Sequence, residues 1–136
     1  MSKVYWDTML FIYLLEANQR YGSAVRSIHE RMQVRGDSLY TSYLTLGEIV
    51  AGAPQSRHAV REGLSAMNVE FLPFDGGAVD TFGWLRARQK LATADSIHLA
   101  CAAAKGIDLF LTGDKQLVKQ IVPGIQFISS IENSPI

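Results

Sequence analysis

The chain has 136 residues, enough to bury a proper hydrophobic core within one domain. Apolar residues make up 48% and charged residues 19%, a composition that excludes disordered and fibrous classes. Thirteen basic residues balance thirteen acidic ones, so a strongly basic nucleic-acid-binding domain is excluded while a local basic rim is not.

Cys101 is the single cysteine; it cannot form an internal disulfide and points to a reducing compartment. Set among alanines, it reads as a small packed hydrophobe. The apolar stretch Val4–Leu15 is short and carries Asp7, which suits neither a signal peptide nor a membrane span. The expectation is a cytoplasmic protein without membrane contact.

Lys3–Trp6 reads as a buried strand, followed by an Asp7-Thr8 N-cap and a helix over Met9–Ala17. That helix is apolar nearly all round, so it is either sandwiched in the core or open to a partner. A second helix spans Gln19–Gln33, with Tyr21, Val25, Ile28 and Met32 as its stripe, and Gly36-Asp37 breaks it. Ser38–Tyr43 is the second strand. Thr45 opens a helix ending near Gly52-Ala53-Pro54, and Gln55–Met67 makes another. Val69–Pro73 is the third strand, its proline suiting a sheet edge. A helix over Ala78–Lys90, with Val79, Phe82 and Leu85 inward, follows the turn at Asp75-Gly76-Gly77. Ala94–Lys105 is the next helix, Asp108–Leu111 the fourth strand, and Asp114–Ile121 a short helix. Gln126–Ile128 makes a fifth strand, and the tail from Ser129 is expected to fray. Strands alternating with helices at this spacing predict an α/β domain over residues 1–136, with a parallel sheet between two helical layers.

In such a sheet a helix feeding a parallel strand starts at the rim where that strand ends. Asp7 ends strand one, Glu48 lies in the first turn after strand two, Asp95 opens the helix before strand four, and Asp114 follows strand four. All four fall at the carboxyl-end rim, where open α/β sheets place their ligands. Each acid alone can be a cap: Asp7 and Asp114 as N-caps, Asp95 against a helix dipole, Thr45–Glu48 as a capping box. Together, without a counter-charge, they would repel and raise one another's pKa. A divalent cation removes that cost, and all-oxygen ligation suits Mg²⁺ or Mn²⁺. Asp75, after an edge strand, reads as a cap, and Asp108 faces the opposite rim.

No Walker loop, GxGxxG, HExxH, GxSxG or paired CxxC occurs. His29 and His58 read as surface residues. His98, one turn after Asp95, can reach the rim or serve as a hydrogen-bonded structural histidine. Thr112 can turn its hydroxyl toward the same rim or make a loop hydrogen bond. Arg57, Arg61, Arg86, Arg88, Lys90, Lys115 and Lys119 are candidates for phosphate contacts, or a solvated helix surface.

The segments VYWDTMLFIYLL, LYTSYLTLGEIVAG, ATADSIHLACAAA and DLFLTGDKQL, in this order, resemble the PIN domain, most closely the VapC-type toxins of toxin–antitoxin pairs. The resemblance runs from about Lys3 to Ile128. It implies a five-stranded parallel sheet of order 3-2-1-4-5 and a Mg²⁺- or Mn²⁺-dependent ribonuclease. It maps the acids onto Asp7, Glu48, Asp95 and Asp114, with Thr112 assisting, and RNA as substrate. It also implies a homodimer and a cognate antitoxin that inserts a basic or aromatic side chain near the acids. Two departures are Gln116, where many relatives carry a further acid, and Gly47 beside Glu48, an irregular helix choice. The rival from another class is a non-catalytic interaction module whose acids are purely structural. A phosphate-transferring receiver would want paired acids after strand one, where only Asp7 stands.

Overall fold

Side chains of the first strand divide between two cores, and that division sets the layers of the molecule. The computed structural model describes all residues from 1 to 136. In β1 (Lys3–Trp6), Val4 and Trp6 point to a core shared with Leu10, Phe11, Val25 and Ile28. Tyr5 points to the other core, with Leu85, Leu99 and Phe110. Both faces of the strand are buried, which is why it reads as an unbroken apolar run rather than an alternating one. Trp6 is fully buried, so its replacement by alanine would cost about 3–5 kcal/mol.

The other strands are β2 (Ser38–Ser42), β3 (Val69–Leu72), β4 (Leu109–Thr112) and β5 (Phe127–Ser130). They form one parallel sheet in the order β3-β2-β1-β4-β5, as the resemblance implied. Helices α1 (Thr8–Leu15), α2 (Gly22–Arg35), α3 (Tyr43–Gly52) and α4 (Arg57–Ala66) contribute to the first core. Helices α5 (Gly76–Ala87), α6 (Thr93–Lys105) and α7 (Lys115–Val118) contribute to the second. Between α6 and β4 the chain turns at Gly106, whose φ of 74° is the left-handed conformation that glycine adopts without strain. No helix is long and apolar enough to cross a membrane.

Several expectations need correction. The third helix begins at Tyr43, after an extended Ser42, rather than at Thr45. Thr45 is therefore inside the helix, where its hydroxyl lies 2.7 Å from that of Thr41 and forms no capping box. The tail does not fray from Ser129: Ser129 and Ser130 pair with β4, and Ile131 is buried in the first core. Arg31 also donates to the Ile136 carbonyl. His29 is half-buried, edge-on to Trp6, and burial lowers its pKa. Val79 faces outward at 50% exposure, its place in the core taken by Ala78. Cys101 is a packed hydrophobe as expected, with burial pushing its thiol up to about 11.

Candidate active site at the carboxyl rim

The sheet order reverses between β1 and β4, whose carboxyl ends lie side by side. The chain leaves β1 through Asp7, whose amide donates to the Leu111 carbonyl. Asp7 N-caps α1, one carboxylate oxygen accepting from the Met9 amide at 3.1 Å. Its other oxygen accepts from the Thr112 hydroxyl and from the Gly113 amide at 3.2 Å. Thr112, the last residue of β4, in turn accepts from the Asp114 amide at 2.9 Å. Asp114 N-caps α7 by accepting from the Gln116 amide at 2.8 Å. Both cap readings are therefore borne out for these two acids.

Asp7 is 6% exposed and has no lysine or arginine partner among the ion pairs of the molecule. Burial drives its pKa up, opposed by the Thr112 hydroxyl, by His98 and by the two amides. Asp95, half-buried in the first turn of α6, is also pushed up, first by burial and then by the charges of Asp114 and Glu48.

Glu48 lies in the second turn of α3 rather than the first, because the helix starts two residues earlier than expected. Its Oε1 accepts from the Thr8 hydroxyl at 2.7 Å and lies 3.3 Å from His98 Nε2. The His98 bond holds the Glu48 carboxyl below the ordinary range, with Thr8 adding to the effect against desolvation. His98 is buried, and its Nδ1 is 2.7 Å from the Tyr5 hydroxyl. Since a carboxylate only accepts, Nε2 carries the proton toward Glu48 and Nδ1 accepts from Tyr5. On the other side Thr41 donates to the Trp6 carbonyl, and its hydroxyl lies 2.7 Å from that of Thr45, which stands 3.1 Å from Thr8. Thr8 and His98, backed by Thr45 and Tyr5, thus converge on one oxygen of Glu48. His98 fills both roles open to it, the structural one and the rim one.

Sequence reasoning missed Thr8, Thr41, Thr45 and Tyr5. The available signal was the clustering of hydroxyls at strand ends, in Asp7-Thr8 and Thr41-Ser42, at the rim that also collects the acids. Among the basic candidates, Arg86 donates to the Leu91 carbonyl and steadies the loop leading into α6. Lys115 is exposed directly after Asp114.

The donor chemistry here fits a hard divalent ion: several carboxylate oxygens, one of them deeply buried and lacking a basic partner. As the side chains stand, however, no three His, Cys, Asp or Glu residues form a group able to hold a metal ion. Asp114 and Glu48 each spend one carboxylate oxygen on their hydrogen bonds, and their second oxygens accept none.

A model of the PIN domain matches residues 4–121, and the chain belongs to that family. The fold is shared with chains in several crystal structures. One is VapBC2 from Rickettsia felis bound to a DNA fragment from their promoter: TM-score 0.71, 15% identity, covering 93% of this chain and 97% of that one. Another is DNA-bound VapBC from Salmonella typhimurium: TM-score 0.69, 23% identity, with 96% and 99% covered. A third is FitAcB from Neisseria gonorrhoeae: TM-score 0.60, 17% identity, with 82% and 87% covered. No curated protein matches the chain by sequence.

Proposed function

We propose that this PIN domain is a divalent-metal-dependent ribonuclease acting as the toxin of a VapC-type toxin–antitoxin pair. The observation that carries the reading is the meeting of acids at the sheet's switch point, where Thr112 bonds to both Asp7 and the Asp114 amide and Thr8, next to Asp7, bonds to Glu48. Asp7, Asp95 and Asp114, with Glu48, would hold Mg²⁺ or Mn²⁺, which when bound supplies a Lewis acid and lowers the pKa of water. Glu48, fixed by Thr8 and His98, orients the attacking water. Thr112 keeps Asp7 facing the rim. Water attacks phosphorus in line, the bond to O3′ breaks, and the products are a 3′-hydroxyl and a 5′-phosphate.

A partner surface supports the toxin half of the proposal. A groove of about 350 Å³ runs between α1, α3 and α4, lined by Ile12, Leu15, Ile49 and Val60 and reaching Glu48. An amphipathic antitoxin segment fits such a groove, its apolar side chains buried and a cation directed at the acid. Self-association through α1, whose Met9 and Leu15 are exposed, belongs to the same proposal. Sedimentation at micromolar concentration showing only monomer would remove it.

The deciding experiment is cleavage of single-stranded and structured RNA with Mg²⁺ or Mn²⁺, then with EDTA. Asp7→Asn and Asp95→Asn should lose more than the roughly 10–100-fold that changes outside a metal's own ligands cost. Variants that cut as fast as wild type would overturn the assignment. The rival reading, an interaction module with structural acids, draws on the caps made by Asp7 and Asp114. A Mn²⁺ titration separates the two, since a scaffold needs no site for the ion.

A further inference from the structure

Beside the acids, Tyr13 of α1 and Arg20 and Tyr21 of the loop that follows it form a ladder. The Tyr13 and Tyr21 rings have centroids 4.9 Å apart with planes inclined by 31°, and the Arg20 guanidinium lies 5.0 Å from the Tyr21 centroid. Arg20 is exposed and pairs with no acid.

The loop that builds this ladder is tightly specified. Asn18 accepts from the Arg20 and Tyr21 amides, both at 2.9 Å, and its own amide donates to the Tyr13 carbonyl. Ala17 takes a left-handed φ of 49°, a strained choice for a residue with a Cβ. At Gly22 a Cβ would stand 3.1 Å from the Tyr13 carbonyl oxygen, tighter than ordinary contact, so glycine eases the close start of the second helix. Tyr13 and Tyr21 pack against the first core but are only half-buried, which leaves part of each ring open at the surface.

The ladder adjoins the catalytic rim. A Cβ added to Gly113 would lie 3.6 Å from the Tyr13 hydroxyl, and the Gly113 amide donates to Asp7. Tyr13, Tyr21, Thr112, Gly113 and Lys115 line a common crevice of about 20 Å³. That volume is too small to admit a nucleobase, which must therefore join the ladder from its solvent side. Rings and guanidinium planes are the surfaces on which unpaired RNA bases stack.

The geometry points to a stacking subsite for one base of single-stranded RNA, formed by Tyr13, Tyr21 and Arg20, with Lys115 contacting the adjoining phosphate. This subsite rests on the ribonuclease reading. It fixes which nucleotide lies over the acids, and it accepts any base that stacks well.

The test is binding of a short single-stranded RNA series, each base replaced in turn by an abasic nucleotide, to protein carrying Asp95→Asn to prevent cleavage. One position should exist whose base contributes about tenfold to affinity in this background and nothing once Tyr21→Leu is added. Tyr21→Phe should bind as the parent does. Should Tyr21→Leu fail to fold, Arg20→Ala, a change to an exposed side chain, gives the same comparison with a smaller loss. Equal abasic penalties in parent and variant overturn the subsite. RNA cleavage by the otherwise wild-type chain, measured in parallel, separates the two failures: cutting that persists with equal penalties sinks the subsite alone. Neither cutting nor binding sinks both.

Discussion

The Thr8 hydroxyl donates to Glu48 Oε1 at 2.7 Å, tying the residue that follows Asp7 to an acid forty positions later. One helix start thus carries both a candidate ion ligand and the clamp on its neighbouring acid. His98 approaches the same oxygen from α6, so Glu48 is held from two elements although its side chain is 40% exposed. An exposed glutamate without such partners would spread over several rotamers and orient water poorly.

Thr8→Val should therefore lower kcat about tenfold and leave KM within about twofold, because it frees Glu48 without touching the substrate surface. The lost bond should also cost about 1 kcal/mol of stability. Thr8→Ser keeps the donor and should restore kcat. Steady-state kinetics on a fluorogenic RNA make the comparison, and an unchanged kcat in Thr8→Val would remove the orienting role of Glu48.

The acids should also leave opposite signatures in stability against pH, measured in EDTA. Asp95 has a folded pKa above its unfolded value of about 4, so its contribution is favourable below that pH and is lost as pH rises through the folded pKa. At neutral pH it costs stability. Asp95→Asn should accordingly raise Tm at pH 7 to 8, the gain fading toward pH 4. Glu48 has a lowered pKa, so its contribution is present above the unfolded value and disappears as pH falls through the folded one. Glu48→Gln should lower Tm at pH 7, and the loss should shrink under acid. Thermal melts that show Asp95→Asn less stable than wild type at neutral pH contradict the crowding of acids at this rim.

Much of this architecture was legible because it follows from periodicity and interval. The apolar run at Val4–Trp6, the edge proline after β3 and the spacing of helices dictate a parallel sheet, and the sheet dictates which chain ends share a rim. What stayed hidden depends on contacts with no local signature. Thr8, Thr45 and Thr41 meet only after β1 and β2 pair, and Tyr5 meets His98 across 93 positions. The start of α3 was misjudged because Ser42 takes the N-cap backbone without a side-chain bond, so residue type gave no cue. The tail was misjudged for the reverse reason: Ile131 is one apolar residue among polar ones, and only the finished core shows where it goes.

Metal addition gives a third expectation. If the acids share an ion, Mn²⁺ binds the native state alone and should raise Tm with concentration, by about 2.7 kcal/mol of stability at a hundred times Kd. Asp95→Asn should abolish most of that rise while being the more stable protein in EDTA. Calorimetric melts over a Mn²⁺ series provide the measurement. A wild-type Tm that does not move with Mn²⁺ favours the scaffold reading over the nuclease.

Thr112 offers the sharpest separation of structure from chemistry. Its hydroxyl donates to Asp7 and accepts from the Asp114 amide, so one side chain joins the two acids that flank the switch point. Valine has the same shape and neither function. Thr112→Val should leave the buried Asp7 carboxylate with only two amide donors and cost about 1–3 kcal/mol at neutral pH. The cost must be smaller under acid, because the lost bond stabilised the ionised form and a raised pKa lets Asp7 take a proton earlier as pH falls. Thr112→Ser should behave as wild type in both stability and Mn²⁺ response. Equal destabilisation of Thr112→Val at pH 4 and pH 7 in denaturant titrations would mean that the hydroxyl serves packing alone and that Asp7 does not depend on it.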